Sequence, residues 1–539
     1  MIKSFTLITL CVFALNFSLK AIDGPDQVKM VMAKQKLYAG QFIGALNLYK
    51  EVLAKNQDDA SVLYYVGYCN YELKKYDLAA EHLQKAIATN KDVKPETHLV
   101  LGKIYLTQEK VNEALTEFNA FKSSAKSKDA QLEDVDVYIE HCNNAKKYLP
   151  SPNNDIKIAN LGTAVNSKFD DQTPCISADG MKLVFTTRRP QTTDSPTDIE
   201  GDGKYFQDIY ISNWDTINKK WMESDEVSGN VNTDAHDACT SISPDGKQIF
   251  LYKNDLKDNE SRGGDIFVSK VISNKWKTPE PLGKPVNTTF WEGGACISPD
   301  GKTLFFISER KGGYGHADIW MVKRINKKEW GKPVNLGPEI NSEYDEVGAF
   351  LAPDGKTLFF SSNGKGSMGS YDIFKSTLEG DKWSKPVNLG FPINTVYKDG
   401  PLVVSADAKL AYFASERPGG LGESDIYSAD ISKYGIFEKD GKKKDHSDLS
   451  ILKGTVRDGF EGVGIAGVEI SILDAAGNAI ASTVTNDLGE YFLTLKGDVS
   501  YTVKVVKKGY KAAEEKIDLK VGKTETFSLE KQFMLSKEK

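Results

Sequence analysis

The segment SPDGKTLFF at residues 298–306 contains the pattern that decides the fold of most of this chain. An Asp-Gly pair placed before an apolar, β-prone run is typical of the tight turn of a β-hairpin. The pattern occurs five times, the last copy with Ala in place of Gly. The copies are SADGMKLVF (177–185), SPDGKQIFL (243–251), SPDGKTLFF (298–306), APDGKTLFF (352–360) and SADAKLAYF (405–413).

Each copy of this repeat continues in the same way over 53–66 residues. A second apolar strand opens with Asp-Ile and an aromatic residue, as in Asp318-Ile319-Trp320, and a Trp or Phe follows it. Four strands in about 54 residues is the size of one β-propeller blade. The sequence therefore predicts a five-bladed β-propeller over residues 155–437.

The N-terminal part follows a different period, of 35 residues. Gly67 recurs as Gly102, Ala79 as Ala114, and Leu83 as Phe118. Small residues at two of these positions allow paired helices to approach closely, while the large residue fills the gap between pairs. The pattern predicts about three helix-turn-helix repeats over residues 26–148. A capping helix is expected from the helical spacing of Leu132, Val135, Ile139 and Cys142.

The C-terminal part begins after a charged, Gly-containing stretch at 434–448, which favours a linker. Residues 449–533 then alternate between apolar and polar positions, as in GVEISI (467–472), which predicts a small β-sandwich. The predicted fold class is therefore multidomain: an α-helical solenoid, then an all-β five-bladed propeller, then a small β-sandwich.

The first 21 residues have the layout of a secretory signal peptide. A short basic start precedes an apolar run from Phe5 to Leu19 and the small residue Ala21. We expect cleavage near Ile22 and a periplasmic protein with no membrane span. The net charge of -6 is not the basic charge that is typical of nucleic-acid-binding proteins. The five later cysteines are expected to be buried and reduced, with one disulfide as the alternative.

These three segments resemble known families. The helical part resembles the tetratricopeptide (TPR) repeat. The central part resembles the WD40-like (PD40) propeller of the Tol system and of oligopeptidases, and the last part resembles the carboxypeptidase regulatory-like domain. This order resembles Bacteroidota periplasmic proteins such as the peptidoglycan-associated component of the type IX secretion system. Those proteins usually continue into an OmpA-like domain, which this sequence does not contain. The resemblance therefore does not imply that this protein is anchored to the cell wall.

One register of the central repeat is acidic in all five copies. The acidic residue stands five positions after the Asn that opens each copy, and the five are Asp171, Asp237, Glu292, Glu346 and Asp399. In a propeller one register becomes one ring, and a ring of carboxylates near the channel mouth would attract a cation or a basic segment. The alternative is local. Each carboxylate would then cap a turn or pair with an Arg of a neighbouring blade, such as Arg189, Arg310 or Arg417.

The first copy also carries an acidic insertion. Asp198, Glu200 and Asp202 alternate before Gly203, which resembles a calcium loop. Ile209 occupies the position at which such a loop supplies its distant Glu, so the sequence favours a polar surface loop over a calcium site. A further Asp starts the second strand of each copy, and we expect it to bond the preceding loop. These residues are Asp208, Asp265, Asp318, Asp372 and Asp425.

The sequence contains no motif for catalysis: no His-Glu-x-x-His, no Gly-x-Ser-x-Gly elbow and no phosphate-binding glycine loop opening a helix. We therefore expect no enzyme and no cofactor. The sequence predicts a periplasmic scaffold that binds envelope proteins through the TPR groove and the propeller face. The resemblance associates it with outer-membrane or type IX secretion machinery. The alternative is a protein that binds glycan or peptidoglycan fragments through the propeller face and the sandwich.

Overall fold

A computed structural model gives the fold of the chain. It describes residues 24–90, 93–124, 132–199, 201–254, 264–272, 275–326, 329–437, 449–497, 499–519 and 528–538. The predicted signal peptide at 1–21 lies outside the described residues. The chain divides into two compact units. One comprises Met1–Lys147 with Pro190–Phe206, and the other comprises Tyr148–Arg189 with Gln207–Lys539.

The first unit is helical, as the 35-residue period predicts. Its described helices are α1 (Gly24–Tyr38), α2 (Phe42–Leu53), α3 (Ala60–Glu72), α4 (Tyr76–Thr89), α5 (Glu96–Thr107), α6 (Val111–Ser124) and α7 (Leu132–Tyr148). Consecutive helices pack as pairs, α1 with α2, α3 with α4, and α5 with α6, and α3 also contacts α5.

Two glycines set the spacing within the helix pairs. A Cβ atom built on Gly67 would lie 2.7 Å from Leu83 Cγ, and one on Gly102 would lie 2.6 Å from Phe118 Cε1. Both distances are shorter than carbon atoms tolerate, so any larger residue would push the paired helices apart. The prediction that small residues at 67 and 102 permit close approach is confirmed.

The segment Pro190–Phe206 leaves the first β-repeat and belongs to the helical unit. There, the N–H group of Ile43 in α2 donates to the carbonyl of Gly201 at 3.2 Å. The side chain of Ile43 also lies beside Gly203. The sequence assigned this insertion to the propeller region 155–437, and that boundary stays a prediction.

The second unit contains five antiparallel sheets built from the central repeat. Strand β1 (Lys157–Asn160) precedes them and joins sheet 5. Sheet 1 comprises β2 (Asp171–Ile176), β3 (Lys182–Thr187), β4 (Asp208–Asp215), β5 (Lys220–Trp221) and β6 (Asp225–Glu226). Sheet 2 comprises β7 (His236–Ile242), β8 (Gln248–Asn254), β9 (Asp265–Ile272), β10 (Lys275–Trp276) and β11 (Glu280–Pro281).

The remaining repeat sheets follow the same order. Sheet 3 comprises β12 (Glu292–Ile297), β13 (Thr303–Ser308), β14 (Asp318–Lys323) and β15 (Val334–Asn335). Sheet 4 comprises β16 (Glu346–Leu351), β17 (Thr357–Ser362), β18 (Asp372–Glu379), β19 (Lys382–Trp383) and β20 (Val387–Asn388). Sheet 5 comprises β21 (Asp399–Val404), β22 (Leu410–Ser415) and β23 (Asp425–Asp430), together with β1.

The first full strand of each sheet, here called its inner strand, contacts the inner strands of two other sheets. The contacts run from β2 to β7, β12, β16 and β21, and from β21 back to β2. The cycle is accompanied by backbone pairing of β1 with β23, in which Lys157 faces Asp430 and Asn160 faces Tyr427. The first strand of the repeat region thus completes its last sheet.

The Asp-Gly turns have the predicted hairpin conformation. Gly180, Gly246, Gly301 and Gly355 all have a φ near +70°, a region in which a side chain is strained. In the fifth copy Ala408 occupies this position and keeps a positive φ of 49°. The predicted hairpin turns are therefore confirmed in all five copies, including the fifth, which has Ala408 in place of Gly.

All five described cysteines are free and buried, as predicted. Cys175 on β2 and Cys296 on β12 occupy the same register of two inner strands. Cys239 on β7 lies close to the first of these, with 3.3 Å between the two sulfur atoms. These thiols pack between sheets as small apolar groups.

Two further sheets follow the repeats and share one apolar core around residues such as Ile470, Leu493 and Val503. The strands are β24 (Leu449–Asp458), β25 (Glu469–Leu473), β26 (Ala479–Val484), β27 (Glu490–Lys496), β28 (Ser500–Val506), β29 (Ala513–Asp518) and β30 (Ser528–Leu535). Their orders are β27-β24-β30 and β26-β25-β28-β29. We call β24–β30 the C-terminal sheets.

The C-terminal sheets contact the hairpin-turn segment of every repeat. Ala178 and Ala406 form an apolar contact with Ile451 of β24. Three polar contacts cover the other turns: Lys247 Nζ to Glu490 Oε2 at 2.5 Å, Lys302 Nζ to Ser482 Oγ at 3.0 Å, and Thr494 Oγ1 to the Pro353 carbonyl at 2.7 Å. The five turns therefore form one docking surface for the C-terminal sheets.

We predict that this docking survives cleavage of the connecting segment. When a specific protease site replaces residues 441–446, the two cleaved parts should co-elute on size exclusion. Ala406→Arg should weaken their association at least about ten-fold, because it places a charge against the buried Ile451. Ala475→Arg, at an exposed position of the C-terminal sheets, is the matched control. Separation of the parts without any substitution would contradict the docking surface.

Candidate functional site

Helices α3, α5 and α7 carry a set of neighbouring aromatic and basic side chains. The rings of Tyr64 and Tyr68 lie 6.1 Å apart, and those of Tyr68 and Tyr71 lie 6.4 Å apart, in a row along α3. Lys103 on α5 places its Nζ 4.5 Å from the ring centroid of Tyr138 on α7. We call these five residues the tyrosine surface.

The tyrosine surface is partly buried. Tyr68, Tyr71, Lys103 and Tyr138 are half-buried, and Tyr64 is buried. Burial raises the pKa of Tyr64, Tyr68 and Tyr71. A protonated tyrosine hydroxyl can both donate and accept a hydrogen bond. Rings with polar tips are the groups enriched at protein interfaces.

The sequence predicted a binding groove in the helical repeats, but its pattern did not identify any of these five side chains. The available signal was the helical spacing of Tyr64, Tyr68 and Tyr71, which places them on adjoining turns of one helix. The pairing of Lys103 with Tyr138 joins two helices, and the period alone does not reveal it.

The five acidic residues of the repeat register lie at the start of the inner strands. Each of them is buried, with at most 1% of its surface exposed. Each accepts hydrogen bonds from the N–H and hydroxyl groups of the Ser or Thr four positions earlier. The pairs are Ser167 with Asp171, Thr233 with Asp237, Thr288 with Glu292, Ser342 with Glu346, and Thr395 with Asp399.

Four of these carboxylates also pair with a basic side chain. Nη2 of the arginine lies 2.9 Å from Asp171 in the Arg189 pair, 3.2 Å from Glu292 in the Arg310 pair, and 3.1 Å from Asp399 in the Arg417 pair. Lys253 lies 2.6 Å from Asp237. The sequence placed the arginines on neighbouring blades. The structure corrects this, because each basic residue belongs to the same sheet as its carboxylate. Lys253 lies on the strand next to the carboxylate, and the three arginines stand two residues after the end of that strand.

Sheet 4 departs from this arrangement at Glu346. Gly364 stands where sheets 1, 3 and 5 have their arginine, and no ion pair of Glu346 occurs among the described residues. The carboxylate instead accepts from Ser342 and, at 2.9 Å, from the Ser362 hydroxyl. Burial raises the pKa of Glu346. It is therefore a buried carboxylate held by hydroxyl and amide groups alone.

The sequence left two roles open for Asp171, Asp237, Glu292, Glu346 and Asp399, contact with a ligand or a local role in each turn. Their oxygens are engaged by partners of their own repeat, and they cannot reach a ligand unless the sheet opens. The local alternative, in which each carboxylate fixes a turn, describes this structure better. A ligand contact through these five residues stays a prediction.

The second repeated Asp behaves as expected in three copies. Asp318 accepts from the N–H groups of Tyr314 and Gly315, Asp372 from Met368 and Gly369, and Asp425 from Leu421 and Gly422. In each case a buried carboxylate holds the loop that precedes its strand. For these three residues the prediction of a structural role is confirmed.

The acidic insertion forms a turn in the described part of the chain. Asp198 Oδ1 accepts from Gly201 N at 2.9 Å, and Asp202 Oδ1 accepts from Lys204 N at 2.9 Å. Glu200 lies outside the described residues. Within the described ranges, no three His, Cys, Asp or Glu side chains are grouped as metal ligands. The calcium site at Asp198, Glu200 and Asp202 stays a prediction, and the polar loop remains the favoured alternative.

Two family models match separate segments of the chain. Residues 30–93 match the tetratricopeptide repeat, and residues 451–530 match the carboxypeptidase regulatory-like domain. The helices and the C-terminal sheets described above lie at these positions. In the part of the chain that the structure describes, no helix has the length and apolar character to cross a bilayer.

Individual relatives are similar to the helical region. The BBSome complex member BBS4 of Bos taurus is 28% identical over 113 residues, which are 21% of this chain and 20% of that protein. The chain thus spans about a fifth of the length of this curated relative. The type III secretion translocator chaperone SycD of Yersinia enterocolitica is 14% identical, with a TM-score of 0.22 over 24% of this chain and 90% of its own.

The first TPR of Spaghetti (RPAP3) bound to an HSP90 peptide is also 14% identical. Its TM-score is 0.19 over 21% of this chain and 90% of its own. Structural scores this low carry no argument about the present chain, and the tetratricopeptide assignment rests on the family model and on the packing at Gly67 and Gly102.

We predict that two chemically identical substitutions in the acidic register have different effects. Glu292→Gln should lower the free energy of unfolding by about 2–4 kcal/mol, because it leaves the partly buried Arg310 without its counter-charge. Glu346→Gln should change it by less than about 1 kcal/mol, because it loses one acceptor but removes an unpaired buried charge. Denaturant unfolding of both variants measures the difference.

The effect of Glu346→Gln should also depend on pH. The pKa of Glu346 is raised in the folded state, so native Glu346 stabilises the fold at pH values below its ordinary pKa of 4.5. This stabilisation is lost as the pH rises through the raised pKa of the folded state. The variant should therefore be less stable than the native chain at pH 4 and gain relative to it by pH 8. Equal losses of unfolding free energy for Glu292→Gln and Glu346→Gln at every pH would contradict this account. They would show that the ion pair of Glu292 with Arg310 does not distinguish the two carboxylates.

Proposed function

We propose that this protein is a non-catalytic scaffold that holds a protein partner on the tyrosine surface of its helical repeats. The observation that carries this proposal is the row of Tyr64, Tyr68 and Tyr71 on α3, together with the pair of Lys103 on α5 and Tyr138 on α7. Aromatic rings that carry a hydroxyl suit an extended peptide or a helix, which can pack on the rings and bond the hydroxyls. Tetratricopeptide repeats, matched over 30–93, are protein-interaction modules, which supports the same role.

We further infer that the five repeat sheets are the blades of a five-bladed β-propeller over 155–437. The cyclic contacts of the inner strands support this inference, as does the pairing of β1 with β23. The corresponding division of the chain is 26–148 for the helical repeats and 449–533 for the carboxypeptidase regulatory-like domain. A propeller and a helical array in one chain would each offer a surface for partners.

The proposed location is the periplasm, in association with outer-membrane or type IX secretion machinery. The charge and apolar pattern of residues 1–21 supports export, and the order of the three segments supports a place in the envelope. This order of segments resembles that of the peptidoglycan-associated component of that secretion system.

We expect export to be visible in the mature N-terminus. Protein recovered from the native host should begin at or near Ile22 and fractionate with soluble periplasmic markers. Replacing Leu10 and Phe13 by Arg should retain the chain in the cytoplasm, because charged residues disrupt the apolar run that a signal peptide requires. Intact Met1 on native protein from the cytoplasmic fraction would refute export.

We predict that the tyrosine surface is required for partner capture. Tyr68→Phe removes one hydroxyl and Lys103→Ala removes the cation, so together they should lower recovery of envelope proteins by about ten-fold or more. Tyr314→Phe with Lys332→Ala, at positions in the other unit, is the matched control. The readout is quantitative mass spectrometry after pull-down with the full chain. Unchanged recovery with an unchanged melting temperature would reject the tyrosine surface as the binding site.

A further inference from the structure

A cavity of about 170 Å³ lies in the second unit where the inner strands of the five sheets meet. One small residue from each inner strand lines it: Thr173, Thr240, Gly294, Gly348 and Pro401. Most of the remaining lining is apolar, including Ile307, Val347 and Ala349. Apolar cavities of about 150 Å³ accept a molecule of the size of benzene. This cavity therefore has room for one ring or one branched aliphatic group.

The strands deform at the level of the cavity. Every inner strand has a register shift just after its buried carboxylate, in β2, β7, β12, β16 and β21. In sheet 1 the shift contains Thr173 at a φ of +52°, a strained conformation for a β-branched residue. Bulges and backbone strain of this kind occur at binding sites, where they direct groups toward a ligand.

The two ends of the inner strands have different surroundings. The cavity lies at the start of the inner strands, beside Gln172, Gly293 and Asp399, whereas the hairpin turns at the far end contact the C-terminal sheets. At the start of the strands the lining includes the side chains of Trp291, Tyr371 and Lys398. We call this end the mouth.

The residue immediately before each buried carboxylate varies among the copies, with Asp in two of them. These residues are Asp170, His236, Trp291, Asp345 and Lys398. The Ser or Thr four positions before the carboxylate, and the carboxylate itself, keep their chemistry in all copies. Of the variable residues, Trp291 and Lys398 line the cavity. Two such different side chains on different sheets are suited to recognising an asymmetric ligand.

Two carboxylates lie near the mouth, which also carries Lys398. The N–H group of Glu309 donates to the carbonyl of Trp291 at 3.0 Å, which places residue 309 opposite Trp291 in the backbone pairing of sheet 3. Asp345, from the adjacent sheet, accepts from the Tyr371 hydroxyl at 3.0 Å. Burial and the charge of Asp345 raise the pKa of Glu309, whereas the charge of His316 lowers it. His316 Nδ1 lies 3.9 Å from Asp345 Oδ1. A ligand cation near Glu309 and Asp345 would be attracted by both carboxylates.

We propose that the cavity binds one aromatic or branched apolar side chain of a protein segment that carries a lysine or arginine at the adjoining position. The apolar side chain passes Trp291 into the cavity, and the cation meets Glu309 and Asp345. The apolar lining favours this occupant over a sugar, which needs many polar partners. The site is separate from the tyrosine surface and adds a second partner contact to the proposed scaffold.

The test uses saturation-transfer NMR with the full mature chain and three probes at equal concentration. They are N-acetyl-Phe-Lys-amide, N-acetyl-Phe-Glu-amide and N-acetylglucosamine. We expect the phenyl protons of the Lys probe to show at least about three times the signal of the Glu probe, and the sugar to show none. Ala349→Leu, which fills the cavity, and Trp291→Ala should each reduce the Lys-probe signal at least three-fold.

A double variant, Glu309→Gln with Asp345→Asn, keeps the test decisive if Ala349→Leu does not fold. It should abolish the preference for the Lys probe, whereas Glu339→Gln, at an exposed site in the same unit, should retain it. The proposal is overturned if the folded native chain binds no peptide probe, prefers the Glu probe or the sugar, or keeps its preference in the double variant. Tyr68→Phe should leave probe binding unchanged, so failure here does not affect the tyrosine surface.

Discussion

The pairing of β1 with β23 is the constraint on which the rest of the second unit depends. Four residues, 157–160, pair with 427–430 at the other end of the repeat region, and Asn160 Nδ2 donates to Asp425 Oδ2 at 2.8 Å. Without this pairing, sheet 5 would present an open edge and the inner strands would lose the contact between β21 and β2. The cavity and the hairpin-turn surface both require that cycle, because all five sheets contribute to each.

The buried carboxylates explain how five copies keep a common geometry. Each one fixes the turn before its inner strand through a Ser or Thr, and three of them recruit an arginine that also bonds backbone carbonyls of the same turn. Sheet 4 has no arginine at this position but keeps the carboxylate. The feature that all five sheets share is therefore the set of hydrogen bonds that fix the turn, and not the ion pair. The variable residues at the mouth can then differ without disturbing the strands that carry them.

Much of this fold could be predicted from local patterns. The 35-residue period predicted the close helix contacts at Gly67 and Gly102, and the Asp-Gly pairs predicted hairpins with a positive φ. A period gives the register of a residue but not its depth, and the sequence therefore left open whether the five carboxylates contact a ligand or fix local turns. The sequence also could not predict contacts between segments that share no pattern. Examples are the contact of Ile43 with Gly201 and that of Ile451 with Ala406.

The most direct test of the closed ring is hydrogen exchange in the variant Ile158→Pro, which disrupts the backbone pairing of β1. We predict that amide protection falls at least about ten-fold in the inner strands β2, β7, β12, β16 and β21 together, since closure couples all five sheets. Val387→Pro in the outer strand β20 is the control and should affect sheet 4 alone. Loss of protection confined to sheet 5 in Ile158→Pro would contradict a ring that depends on this closure.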